Sequence, residues 1–144
     1  MSKINQKLAV SLLALLGGTA WAQMTPIGAW HSIDDATGQP KARVVIAETA
    51  GVLNGRIEKV LRKDADPNAV CDKCSDDRKN KPITGMEIIR GMKPDGGSWS
   101  GGTILKPDEG KVYKSKMELV ENGAKLKVSG CVAFICKSQL WERI

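Results

Sequence analysis

Four cysteines carry the clearest chemical signal in this 144-residue chain, spaced as Cys71-x2-Cys74 and Cys131-x4-Cys136. The first pair sits in a run crowded with charge, "CDKCSDDRKNKP" at 71–82. Such thiols could form disulfides, hold zinc or act as a redox switch. Haem attachment would need a histidine after the second cysteine, where Ser75 stands. A thioredoxin-like switch would need the pair at a helix start in a βαβ setting. A four-cysteine zinc site would have to join pairs 56 residues apart. An even count in an exported chain favours staples. Four cysteines allow three connectivities. The "VAFI" segment between Cys131 and Cys136 suits a hairpin that sets those two opposite each other, which favours local pairing, with Cys71 joined to Cys74. No metal and no cofactor is expected.

Other chemistry-bearing residues do not assemble into a catalytic set. His31 is the single histidine, so it has no histidine partner for metal binding or proton relay, and a strand-edge role is expected of it. "GSWSG" at 97–101 has Trp99 where a nucleophile elbow needs serine. "DADPN" at 64–68 opens like a calcium loop, but Ala69 replaces the glycine and Ser75 the closing glutamate. No catalytic residue is therefore expected, and the chain is read as a non-enzyme.

The N-terminus supplies the compartment. Lys3 and Lys7 form a positive n-region, Leu8 to Leu16 an apolar run too short to span a bilayer, and Ala20-Trp21-Ala22 a small-x-small cleavage site. Residues 1–22 are expected to be a signal peptide cleaved after Ala22, leaving 23–144 as one domain in the periplasm or outside the cell. The remainder has no apolar run of membrane-spanning length. The whole chain carries a formal net charge of +6, with cations at Arg56, Lys59, Arg62, Lys63, Arg78, Lys79 and Lys81 around the first cysteine pair. Acids at Asp64, Asp66, Asp72, Asp76 and Asp77 interleave with them, so a solvated loop is expected, with an anionic envelope surface as the partner to consider. Nucleic acid is disfavoured by export and by the lack of an aromatic-basic stripe.

The elements that must position these residues read as strands. In "VYKSKMELV" at 112–120, Tyr113, Ser115, Met117 and Leu119 share one face, while Lys114, Lys116 and Glu118 share the other. Similar segments begin at 27, 42, 52, 83, 98, 124 and 138, separated by short turn signals that include Asn122-Gly123, a hairpin signal. Only 63–82 is a long connection. Eight strands in a meander can close into an antiparallel up-and-down β-barrel, an all-β fold without free edges; an open sandwich is the alternative. Gly28-x-Trp30 on the first strand and Arg143 on the last would meet at closure, the arginine over the indole. Trp99, Tyr113, Phe134 and Trp141 are expected in the core.

The Gly28-x-Trp30 and Arg143 pair resembles the lipocalins and the wider calycin group. "KPITGMEIIRGM", "WSGGTILKPDEGKVYKSKMEL", "LKVSGC" and "SQLWERI" resemble the successive blocks of the family of small secreted bacterial proteins called domain of unknown function 2147, over about Gly28 to Arg143. The resemblance implies an exported lipocalin-like barrel and carries no catalytic residue. Eight strands leave either a filled interior or room for one small ligand. The expectation is a binder of a small apolar or amphipathic molecule, lipid-like, with Tyr113, Ser115 and Met117 lining the cavity. The alternative is a cell-envelope module with a filled barrel.

Overall fold

A computed structural model of the chain describes residues 24–144; the expected signal peptide lies outside the described residues. Eight strands form a closed antiparallel barrel in chain order: β1 (Gly28–Ile33), β2 (Pro40–Thr49), β3 (Val52–Val60), β4 (Glu87–Asp95), β5 (Ser98–Lys106), β6 (Lys111–Val120), β7 (Lys125–Val132) and β8 (Ile135–Arg143). β6 shows why these sequences become strands: Ser115 and Met117 are buried and Lys114, Lys116 and Glu118 exposed, so the period of two puts the apolar residues inside. Trp30, Val44, Ile46, Ile89, Met92, Met117, Leu126 and Trp141 fill the middle, each 2% exposed or less. At the crowded β4–β5 pairing, a methyl on Gly102 would overlap the Arg90 carbonyl and the Met92 sulfur.

The ring closes through a short seam in which Trp30 pairs with Arg143 and His31 with Glu142. Ile144 N–H donating to the Ala29 carbonyl extends it by one bond. The Arg143 guanidinium lies 4.2 Å from the Trp30 ring centroid. Its Nε donates to the Gly123 carbonyl at 2.8 Å, and its terminal nitrogens donate to the Thr25 and Ile27 carbonyls. One side chain thus fastens the β6–β7 turn and the entering segment to the last strand. Trp30 Nε1 donates to the Pro26 carbonyl, so the buried indole has no unpaired polar atom.

Three strand starts, each by more than one residue, and one turn differ from the sequence reading, with β2 beginning at Pro40 rather than 42 and β8 at Ile135 rather than 138. β4 starts at Glu87 rather than 83, because Ile83 N–H bonds the Ala69 carbonyl and belongs to the connection from β3. The Asn122-Gly123 signal does not make a two-residue hairpin. Glu121, Asn122 and Gly123 form a single 3-10 turn, with positive φ at all three.

The long connection is not the solvated loop that its charge suggests. Ile88 and Leu105 point away from the interior, since their neighbours Ile89 and Ile104 face inward, yet both are buried, at 6% and 2% exposure. The connection covers the outside of β4, as the bidentate pair from Arg90 to Asp77 shows. Arg78 is buried, donating to Asp76 and to the Glu87 carbonyl. Gly110 has φ +68° and no room for a methyl against the Lys73 backbone, which lets the connection settle on the β5–β6 turn.

The Arg78 hydrogen bonds hold the Asp76 carboxyl down at about 2, against an ordinary value of 3.8. Because the folded chain favours the ionised form, this stabilisation is complete above the unfolded value and is lost as pH falls through about 2. Carboxyl NMR should show Asp76 titrating near pH 2, and Arg78→Met should return it toward the ordinary range. A normal midpoint in the unsubstituted chain would contradict the pairing of Asp76 with the buried Arg78.

Both disulfides are local, Cys71 with Cys74 and Cys131 with Cys136. The first is buried at 1% and 2% exposure, whereas Cys136 is exposed beside the β7–β8 turn. A thiolate must reach a sulfur to exchange with it. In native protein, Cys131–Cys136 should therefore be reduced at least about tenfold faster, read by alkylation and peptide mapping. Equal rates would mean that the first ring opens without unfolding.

Candidate ligand-binding site

The barrel has two distinct ends. The β2–β3, β4–β5 and β6–β7 turns and the entering segment gather at one, which we call the entry end. The β1–β2, β5–β6 and β7–β8 turns and the long connection's attachments lie at the other. Between them the interior is packed, so space within the ring opens only toward its ends.

The larger concavity, about 550 Å³, lies at the entry end. Met24 and Ile27 from the entering segment, Leu53 from β3, Pro94 from β4, Trp99 from β5 and Leu119 from β6 give it an apolar lining. Each arrives there for a local reason. Leu119 is the next inward position after Met117 on β6, and Trp99 pairs with Met117 across the β5–β6 ladder. Leu53 stands inward across from Met92. Polar groups are few: Thr25, Ser98 and the exposed Glu48. Ser98 Oγ donates to the Asp95 carbonyl, which leaves its lone pairs to accept a bond. An apolar molecule with a hydrogen-bond-donating or cationic end matches this lining; a carboxylate would meet Glu48.

A smaller groove of about 270 Å³ lies at the opposite end, between Tyr113, Val132, Ile135, Lys106, Glu109 and Lys137. The Tyr113 hydroxyl donates to Glu109 at 2.6 Å. That bond pushes the phenol above its ordinary value and, with nearby lysines, holds the carboxyl below its own.

Of the three residues expected to line a cavity, Tyr113 is half-buried in this groove. Ser115 and Met117 are packed instead, at 5% and 0% exposure, and Ser115 Oγ donates to the Ser129 carbonyl. The β6 face is the inward one, but its middle lies in the packed part of the interior. Leu119, two residues further along that face, reaches the larger cavity. Trp30 and Trp141 are in the core and Trp99 is half-buried, whereas Phe134 is wholly exposed, contrary to the expectation for it. Among the described residues no group of three His, Cys, Asp or Glu side chains is arranged to hold a metal ion, and no helix is long and apolar enough to cross a membrane.

Residues 28–143 match the family model described as "Uncharacterized protein conserved in bacteria (DUF2147)". The chain belongs to that family. No protein with a curated description matches it significantly. A solved structure described as "Protein HP1028 from the human pathogen Helicobacter pylori belongs to the lipocalin family" superposes with a TM-score of 0.71, covering 84% of each chain at 15% sequence identity. That likeness shows the fold: this DUF2147 chain is a lipocalin-like barrel. In this barrel the connection that carries Cys71 and Cys74 stays outside the wall, leaving the entry-end cavity bounded by short turns.

Proposed function

We propose that this chain is an exported binding protein, working in the periplasm or outside the cell, that holds a small apolar or amphipathic molecule in the entry-end cavity. The cavity of about 550 Å³ lined by Leu53, Trp99 and Leu119 carries the reading, since small-molecule sites are concave, mostly apolar and about 300–1,000 Å³ in volume. Ligand binding in a lipocalin-like barrel agrees with it. Export is supported by the charged, apolar and small-x-small succession in residues 1–22. The non-catalytic reading follows from the sequence, in which no nucleophile, base and orienting group appear together. Glu48 at the rim favours a neutral or cationic head over a carboxylate.

The experiment is a displacement titration. A neutral probe, N-phenyl-1-naphthylamine, should bind saturably, and a twelve-carbon amine should displace it about fivefold better than the twelve-carbon carboxylate, the effect of roughly one unscreened contact. Preference for the carboxylate would move the site to the lysine-rich end.

One observation favours a second reading, an envelope module with a filled barrel. The middle of the interior is solid, from Trp30 to Met117, so a ligand can reach only the end and not the centre. Absence of saturable probe binding would leave that reading in place.

A further inference from the structure

The β7–β8 hairpin ends in a two-residue turn, Ala133-Phe134, with exposed apolar side chains around it. Phe134 is fully exposed, Ile135 is 75% exposed and Val132 is 62% exposed. Isolated exposed apolar residues are ordinary, but here they are contiguous on one projecting tip. The tip is stiff. Cys131 and Cys136 pair directly beneath it and are joined covalently, so little conformational freedom remains to be lost on docking.

Lysines surround the tip on both faces. Lys114 lies opposite Cys131 on the outer face, and Lys137 lies opposite Gly130 on the inner one. Lys106 and Lys111 pair with each other at the adjoining β5–β6 end. Lys106 and Lys137 share their groove with Val132 and Ile135. Two acids lie in the turn between Lys106 and Lys111: Asp108, which pairs with Lys41 and Arg62, and Glu109, which accepts from the Tyr113 hydroxyl and lies 3.9 Å from the Lys106 ammonium. Around the long connection the arginines are paired, Arg56 with Glu87, Arg62 with Asp34 and Asp108, Arg78 with Asp76 and Arg90 with Asp77, and its lysines, which make no salt bridge among the described residues, alternate along the chain with Asp64, Asp66 and Asp72. Four lysines against one acid that is not taken up elsewhere leave net positive charge beside the apolar tip.

We propose that the β7–β8 hairpin is a docking tip for an anionic lipid bilayer surface. Phe134 and Ile135 enter the boundary between headgroups and acyl chains, while Lys106, Lys111, Lys114 and Lys137 rest against lipid phosphates. The shape selects this occupant. A convex tip needs no matching pocket when the partner surface deforms around it, and an anionic layer over an apolar one presents both chemistries in the required order. Long lysine stems can lie along the apolar zone while their ammonium groups stay at headgroup level. The tip is at the opposite end from the entry-end cavity, so docking leaves that cavity facing away from the membrane. The inference does not rest on the ligand-binding reading.

Vesicle co-sedimentation tests it, with pure phosphatidylcholine compared against a mixture containing three parts in ten of phosphatidylglycerol. The protein should partition onto the anionic vesicles, only weakly onto the neutral ones, and lose the difference at high salt. Phe134→Ser combined with Ile135→Ser should reduce partitioning at least about tenfold, and Lys114→Gln or Lys137→Gln about fivefold each. These side chains are exposed, so the variants leave the core untouched. Phe134→Trp should gain a blue-shifted emission on anionic vesicles. Equal partitioning on both vesicle types, no partitioning, or unaltered partitioning of the Phe134→Ser, Ile135→Ser variant would overturn the proposal. So would a lipid-free dimer that Phe134→Ser converts to monomer, which would assign the tip to a second copy of the chain.

Discussion

Trp30→Ala is expected to lower the unfolding free energy by about 4 kcal/mol, and Arg143→Ala by about 2 kcal/mol. Trp30 is wholly buried, so truncation loses transfer energy and leaves a cavity that neighbouring strands fill only in part. Arg143 costs less because it is exposed. Its contribution is a cation-π contact at 4.2 Å and three hydrogen bonds to the carbonyls of Gly123, Thr25 and Ile27. Arg143→Lys keeps the charge over the ring but cannot reach all three carbonyls, so about half of the loss should remain. The variants share a contact, and the double substitution should cost about 1 kcal/mol less than the sum of the singles. Urea unfolding measures all four quantities. An unchanged midpoint for Arg143→Ala would mean that the β1–β8 seam holds without its side chain.

The second large effect is on binding. Leu119→Trp should weaken neutral-probe binding at least about tenfold, since the larger ring occupies volume that the ligand needs. Leu119 is half-buried at the edge of open space, so the substitution does not overpack the core. Tyr113→Phe, at the other end, should leave probe binding unchanged. A loss with Tyr113→Phe and none with Leu119→Trp would exchange the roles of the two concavities.

The barrel was legible because most strands have one buried and one wet face. On β6 the lysines at 114 and 116 mark the outside as clearly as Met117 marks the inside. Legibility fails where that asymmetry fails. The first half of β8, Ile135 to Ser138, is exposed on both faces as the hairpin projects, so alternation begins only further along. For the same reason Phe134, expected in the core, lies on a turn that leaves the barrel. Ile83 read as strand because a connection that packs against a wall needs apolar residues just as a strand does.

The paired cysteines were legible because spacing alone brings close residues together. The cavity was not. Its lining comes from Met24, Leu53, Trp99 and Leu119, which only closure of the ring brings to one end. The alternation on β6 identified the inward face, but the depth at which that face meets open space depends on how the ring's large side chains pack, which leaves Ser115 and Met117 buried and Leu119 at the cavity.

The central claim is that the entry-end cavity, and not the barrel centre, receives a ligand. Fluorescence titration with N-phenyl-1-naphthylamine, excited through tryptophan in unsubstituted, Leu119→Trp and Trp99→Phe proteins, tests it most directly. Trp99 lies in the cavity wall, whereas Trp30 and Trp141 are buried in the core. Saturable binding with energy transfer reduced, though not abolished, in Trp99→Phe because Trp30 and Trp141 still donate, and binding at least about tenfold weaker in Leu119→Trp, is the predicted result. Binding of equal strength in Leu119→Trp, with transfer undiminished in Trp99→Phe, would contradict it.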